Sequence, residues 1–169
     1  MEVTLFGGAF DPIHYGHTYI IKILLKKYPL IWILVSLDRK DKLNISNIDN
    51  RLQKIKLAIA DIQSNRIKII IDKFNSSYEL LNYLSKRYRN FRFNFVIGYD
   101  NLIFLHKWHK WQYFLKLCHK LIVFVRDWYI YNYCKVKNHY LSYKIIIVFA
   151  KRNRISSTYI RQKSLTNIK

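Results

Sequence analysis

The sequence predicts an α/β protein: a doubly wound, mainly parallel sheet of five to six strands with helices on both faces. Three observations carry this. Short runs of Ile, Val, Leu and Phe alternate along the chain with segments of helical period. The runs are continuous rather than alternating, as in strands covered on both faces. Residues 7–17, Gly-Gly-Ala-Phe-Asp-Pro-Ile-His-Tyr-Gly-His, follow the first run directly and lead into a helical pattern. Ligands of parallel sheets bind at such strand–turn–helix junctions.

In order, residues 2–6 form the first strand. Residues 18–27 form a helix on apolar Ile20, Ile21, Leu24 and Leu25, stopped by Pro29. Residues 31–37 make a second strand and 38–48 a polar loop. Residues 49–62 place Leu52, Ile55, Leu57, Ile59 and Ile62 at helical spacing. A third strand covers 66–72. A helix follows over 77–88, with Ser77 as its cap. The fourth strand, 93–97, ends in Gly98. Residues 101–117 read as two short helices with Trp108 near their junction. Strands at 121–126 and 144–149 and a short helix at 156–163, capped by Ser156, complete the order. Residues 127–143 are aromatic-rich and carry no clear period. Taken together the alternation is Rossmann-like, within one domain over 1–169.

Composition bounds the function. At 169 residues and 51% apolar content, the chain is long enough for one core and too apolar for disorder. No run approaches a membrane span, and residues at the start lack a secretory pattern, so the expectation is a cytoplasmic protein. Cys118 and Cys134 stand apart from any metal-ligand spacing, and a reducing compartment leaves them unpaired. A net charge of +20 suits RNA contact or attraction of anionic substrates. The lysines, however, are scattered over all faces. Abundant Ile, Lys, Asn, Tyr and Phe, with scarce Gly, Ala and Pro, read as the coding drift of an AT-rich genome, and no specific nucleic-acid partner is expected.

The chemistry gathers in residues 7–17. Gly7 and Gly8 are expected to let the backbone turn sharply at the strand end. His14 and His17 stand three residues apart where the next helix begins. Unpaired N–H groups and partial positive charge there attract anions, so the imidazoles complete a cradle for a polyphosphate. Gly16 would let phosphates approach the helix backbone. Asp11 reads as a cap of the turn rather than a metal ligand.

This block resembles the first signature of the nucleotidylyltransferase superfamily. Residues 155–161, Ile-Ser-Ser-Thr-Tyr-Ile-Arg, resemble its second signature. Residues 97–108, Ile-Gly-Tyr-Asp-Asn-Leu-Ile-Phe-Leu-His-Lys-Trp, resemble the Gly-x-Asp…Trp segment of bacterial nicotinate-nucleotide adenylyltransferases. The stretch 51–61 and Ser77-Tyr78 keep that family's order and spacing, and the resemblance spans about residues 2–165. Pantetheine-phosphate adenylyltransferases share the two end signatures but not the Gly-x-Asp…Trp segment. A decayed homologue persisting as a basic RNA-binding module is opposed by intact His14, Gly16, His17 and Arg161.

The resemblance implies adenylyl transfer from ATP to nicotinate mononucleotide. It implies His14, His17 and Arg161 as catalytic groups. For ATP binding it implies Gly7, Gly8, Ala9, Phe10, Gly16, Gly98, Asp100, Ile155, Ser156, Ser157 and Thr158. Within these, Asp100 would hold the ribose hydroxyls. Trp108 would stack on the nicotinate ring, and Ser77 and Tyr78 would meet its carboxylate. Arg126 is a candidate for the substrate phosphate. Mg²⁺ would bridge the ATP phosphates, held mostly by substrate and water, with no protein metal site. Three departures stand out. Ala9 replaces a usual Thr or Ser, which removes one hydroxyl contact. Residues 38–44 lack the usual Pro-Pro-His-Lys segment, leaving Lys40 or Lys42 as the phosphate cation, with Lys42 the choice. The family's C-terminal extension is expected to be nearly absent.

Overall fold

A computed structural model describes residues 1–37, 46–62, 64–125, 140 and 143–150. Strands β1 (Glu2–Gly8), β2 (Leu30–Ser36), β3 (Ile67–Asp72), β4 (Arg92–Gly98), β5 (Lys120–Val125) and β6 (Ile145–Phe149) form one sheet in the order β3-β2-β1-β4-β5-β6. Parallel pairing is seen between β1 and β4 (Leu5 opposite Phe95), β2 and β3, β4 and β5, and β5 and β6. This is the doubly wound order, reversing between β1 and β4. The helices are α1 (Tyr15–Lys27), α2 (Ile48–Ala60), α3 (Ser77–Arg87), α4 (Tyr99–Ile103) and α5 (Trp111–Leu117), with a 3₁₀ turn at Leu105–Lys107. No helix among the described residues is long and apolar enough to cross a membrane.

The interior strands show why the runs are almost wholly apolar, Thr4 and Asn94 being the buried polar residues within them. Val3 to Phe6, Ile31 to Val35, Phe93 to Ile97 and Leu121 to Val125 are buried at every position. Since neighbouring side chains on a strand point to opposite faces, both faces of these strands are covered. The edge strands β3 and β6 are only partly buried.

Contacts divide the described residues into two compact units. One contains Met1–Phe6 and the described residues from Phe74 onward. Its helix α3 is capped by Ser76, whose side chain accepts the Glu79 N–H at 3.2 Å; Ser77, expected as the cap, is the first helical residue. The helix buries Leu80, Leu81 and Leu84, and Lys86 and Arg87 suit the negative end of its dipole. Phe95 and Phe114 meet edge to face at 5.1 Å in this unit's core.

The other unit contains Gly7–Lys73. Here α1 buries Ile20, Ile21 and Leu24 and packs on β2. It begins at Tyr15, not Thr18, because the histidines themselves cap it. Helix α2 buries Arg51 and Ile55, while Leu57, read as part of the apolar stripe, is 67% exposed.

A polar cluster ties the starts of β1, β4 and β5 together. The Glu2 carboxylate accepts from Lys120 Nζ at 3.2 Å and Asn94 Nδ2 at 3.3 Å, and lies 3.1 Å from His119 Nε2. Burial raises the Glu2 carboxyl, but the Asn94 and Lys120 bonds and the charges of Lys120 and His119 outweigh it and hold the group below its ordinary value. A depressed carboxylate stabilises the fold above its unfolded pKa and loses that contribution as pH falls through the folded one. Glu2→Gln should therefore melt below the wild type at neutral pH, and the gap should close as pH falls below about 4.5. Melting curves of both proteins from pH 7 to pH 3 check this; a gap independent of pH refutes it.

Candidate active site

In the unit Gly7–Lys73, the turn after β1 differs from expectation in one respect. Gly7 and Gly8 are strand residues, and no glycine among those described has positive φ. The left-handed conformation falls on Phe10, at φ 50°. That is costly for a residue with a side chain and persists only where its surroundings enforce it. The Phe10 ring is buried and lies across Gly8, where a Cβ would come within 3.2 Å of the ring. Glycine at position 8 thus leaves room for the ring, which a Cβ would press by a few tenths of an ångström, and does not make a turn.

Helix α1 starts with two imidazoles in a reciprocal cap. His14 is the N-cap, and its Nδ1 accepts the Gly16 N–H at 3.1 Å. His17 Nδ1 accepts the His14 N–H at 3.2 Å. This is a capping box with histidines in both roles. The rings lie 3.9 Å apart between centroids, and His17 meets Phe10 edge to face at 5.0 Å. A Cβ on Gly16 would stand 3.0 Å from His14 Cε1. The visible reason for glycine there is room for the imidazole. The caps have a chemical consequence: a neutral imidazole that accepts at Nδ1 carries its proton on Nε2. Both rings are therefore set as Nε2–H donors.

Sequence reasoning missed Arg51. Its side chain is 1% exposed. Nη1 donates to Ala9 O at 3.0 Å and Ser36 O at 2.8 Å, Nη2 to Leu37 O at 3.0 Å, and Nε to Ser46 O at 3.0 Å. It joins the turn after β1, the end of β2 and the approach to α2. Asp11, 2% exposed, reinforces the same joint: its carboxylate accepts the Ser46 N–H at 3.0 Å and the Ser46 hydroxyl. Asp11, expected to cap its own turn, thus ties that turn to the segment before α2. Nothing in the local pattern separates Arg51 from a solvent-facing arginine; its place one turn before buried Ile55 is the only sign.

In the other unit, β4 ends at Gly98, which caps α4 without a side-chain bond, and Asp100 stands exposed in that helix's first turn. Burial raises the neighbouring Tyr99 phenol, whose oxygen is buried without a hydrogen-bond partner among the described residues. Trp108 closes the 3₁₀ turn, half-buried, with its ring 5.6 Å from that of buried Phe114. It is not enclosed in the core. Tyr78, in the first turn of α3, lies 6.1 Å from His109 and 6.2 Å from Tyr113, with Lys110 Nζ 5.3 Å from its ring. The Ser77-Tyr78 segment and the Trp108 segment are thereby brought together. The contact of His109 with Tyr78 links those segments. Cys118 is a free thiol, and burial pushes it well above its ordinary range. Lys40, Lys42, Arg126, Ile155, Ser156, Ser157, Thr158 and Arg161 lie outside the described residues, as do Cys134, the 156–163 helix and all of 127–143 except residues 140 and 143.

An open sheet of this order, with donors gathered at the helix start after its first strand, falls in the nucleotide-binding α/β class. Comparison with known proteins narrows it. The cytidylyltransferase-like family matches residues 5–163. A Pelagibacter ubique protein named "Probable nicotinate-nucleotide adenylyltransferase" is 33% identical over 133 residues, 76% of this chain and 73% of that protein. A Yersinia pestis protein of the same name is 34% identical over 125 residues, 70% of this chain and 57% of that protein. The Plasmodium falciparum nicotinic acid mononucleotide adenylyltransferase complexed with NaAD superposes with a TM-score of 0.78 at 20% identity, covering 95% of this chain and 82% of that one, a likeness of fold. The chain belongs to the cytidylyltransferase-like family, on its nicotinate-nucleotide adenylyltransferase branch. It is an enzyme of the nucleotidyltransferase class.

The cap makes a direct prediction. His14→Ala should cost about 1 kcal/mol of stability, the usual loss for a missing N-cap. His14→Asn, whose amide oxygen can accept the Gly16 N–H, should recover most of it. Denaturant unfolding of the three proteins checks this; equal stability of the alanine and wild-type proteins refutes it.

Proposed function

We propose that the chain transfers the adenylyl group of ATP to nicotinate mononucleotide, forming deamido-NAD and pyrophosphate. The observation that carries the reading is the imidazole pair at the start of α1, both rings set as Nε2–H donors by their caps. The mononucleotide's phosphate oxygen attacks the α-phosphorus of ATP in line. The bond from that phosphorus to the oxygen shared with the β-phosphate breaks, and pyrophosphate leaves with the electron pair. The attacking oxyanion is already ionised, so no general base is needed, and catalysis rests on positioning and on donors aimed at growing charge.

On this reading His17 donates to the α-phosphate oxygen and His14 to the departing phosphates. Backbone N–H groups around Gly8 and Phe10 line the phosphate cradle, with Gly7 and Ala9 beside them, while Gly16, whose own N–H is taken by His14, leaves room at the helix start. Arg161, with Ile155 to Thr158, grips the β- and γ-phosphates, and Lys42 adds a cation. Gly98 and Asp100 meet the adenosine ribose, the carboxylate accepting from both hydroxyls. Trp108 stacks on the pyridine ring, Ser77 and Tyr78 meet its carboxylate, and Arg126 the mononucleotide phosphate. The match over residues 5–163 supports one family domain across most of the chain, and its substrates on this reading are small anions.

Nucleotidyltransferases of this family generally use a divalent metal with ATP. Among the described residues no three His, Cys, Asp or Glu side chains gather as metal ligands, and Asp11 is engaged by Ser46. The donor set around α1 suits phosphate. Mg²⁺, which favours phosphate oxygens and water, would enter on the triphosphate and neutralise part of its charge.

Pyrophosphate release should be seen with ATP and nicotinate mononucleotide; activity with phosphopantetheine alone overturns the substrate. His17→Ala should lower kcat by about 10²–10³, the usual loss of a transition-state donor. Wild-type turnover in that variant removes the role. Trp108→Ala should raise KM for the mononucleotide and leave KM for ATP near wild type; an unchanged mononucleotide KM returns Trp108 to a packing role.

A further inference from the structure

We infer that Arg51 is the positioning residue of the phosphate cradle, acting through the peptide between Ala9 and Phe10. The inference rests on the reading that the turn after β1 holds ATP. In a trans peptide the C=O and N–H point in opposite directions, and among the described residues the only cis bond is Asp11–Pro12. Arg51 Nη1 holds the Ala9 carbonyl at 3.0 Å. The Phe10 N–H is therefore turned away from the guanidinium. The same nitrogen holds Ser36 O at 2.8 Å, while Nη2 and Nε hold Leu37 O and Ser46 O, each at 3.0 Å. The fork is anchored on β2 and on the approach to α2, so it can impose a direction on the Ala9–Phe10 peptide. The left-handed backbone of Phe10, φ 50°, is held in part by this grip.

Position 9 makes this matter. Alanine there offers phosphate no hydroxyl, so its contribution comes through peptide N–H groups, whose aim depends on how the peptide plane is held. Arg51 touches neither substrate on this account. It sets the angle of a donor that does. Lysine cannot replace it: an ammonium lacks the planar fork needed to serve four carbonyls in fixed directions.

The test compares wild type with Arg51→Lys, at a temperature where melting curves show both folded. The expected result is a loss of about 10- to 100-fold in kcat/KM for ATP, the scale for a misplaced binding group. KM for nicotinate mononucleotide should stay within about twofold. In the wild type, the Phe10 backbone amide should move in ¹H–¹⁵N spectra on saturation with α,β-methylene ATP. A folded Arg51→Lys protein with unchanged kcat/KM for ATP, or with KM for nicotinate mononucleotide raised as much as KM for ATP, overturns the inference. So does a Phe10 amide that stays in place while the analogue binds. Should Arg51→Lys fail to fold, the wild-type amide decides alone. A wild type that binds the analogue, shifts Phe10 and yet does not use nicotinate mononucleotide sinks the substrate reading and leaves the positioning role standing.

Discussion

One buried guanidinium organises the turn that begins the site. Arg51 brings its charge almost wholly out of water, which is tolerable only because four backbone carbonyls receive its donors. A hydrogen bond to a charged group contributes about 1.5–3 kcal/mol net, and a buried partner left unpaired costs about 1–3 kcal/mol. Against a folding free energy of about 5–15 kcal/mol, this cluster is a large term. It also compensates an irregular backbone. The turn from Ala9 to His14 forms no helix or strand, so its carbonyls need partners from elsewhere. Arg51 serves Ala9 O, the His17 and Thr18 N–H groups serve His14 O, and the Asp11 carboxylate ties the turn to Ser46.

The same economy governs the helix start. An N-terminus leaves N–H groups unpaired, and most proteins satisfy one with a small polar side chain. Here His14 and His17 do so for each other's segment, through Nδ1 in both cases. Structure and chemistry use different atoms of each ring. The nitrogen that caps fixes which nitrogen donates, and the ring contacts with Phe10 limit how His17 can turn. Phe10 in turn lies close over the bare backbone of Gly8. Each of these residues would be unremarkable alone; each restricts its neighbour.

The unit that carries β4 works differently. Its candidate residues stand at the starts of α3 and α4 and on a 3₁₀ turn; Asp100 is exposed, while Ser77, Tyr78 and Trp108 are half-buried. Trp108 leans on a buried phenylalanine and keeps an open face, while Tyr78 sits among His109, Tyr113 and Lys110. Lys110 places a cation over the Tyr78 face, so this aromatic group carries positive charge beside it. The chain's excess of lysine, read first as coding drift, also keeps that surface positive toward anions.

Much of the protein could be read without coordinates. Strand order along the chain, the buried character of the strands and the place of the first turn follow from periodicity, because a strand covered on both faces admits no polar alternation. The family was legible in Gly8, His14, Gly16 and His17 with Gly98, Asp100 and Trp108, because these residues stand in the order and spacing of its signatures. Tertiary structure alone decided what holds them. Arg51 reads as a surface residue until Ala9, Ser36, Leu37 and Ser46, distant in sequence, present their carbonyls to it. The left-handed residue is Phe10 rather than a glycine because packing and hydrogen bonds from other segments overrule the local preference. Leu57 lies outside for the complementary reason: the face of α2 that meets the fold is chosen by Arg51 and Ile55, and helical period by itself cannot say which polar side chain has a partner waiting.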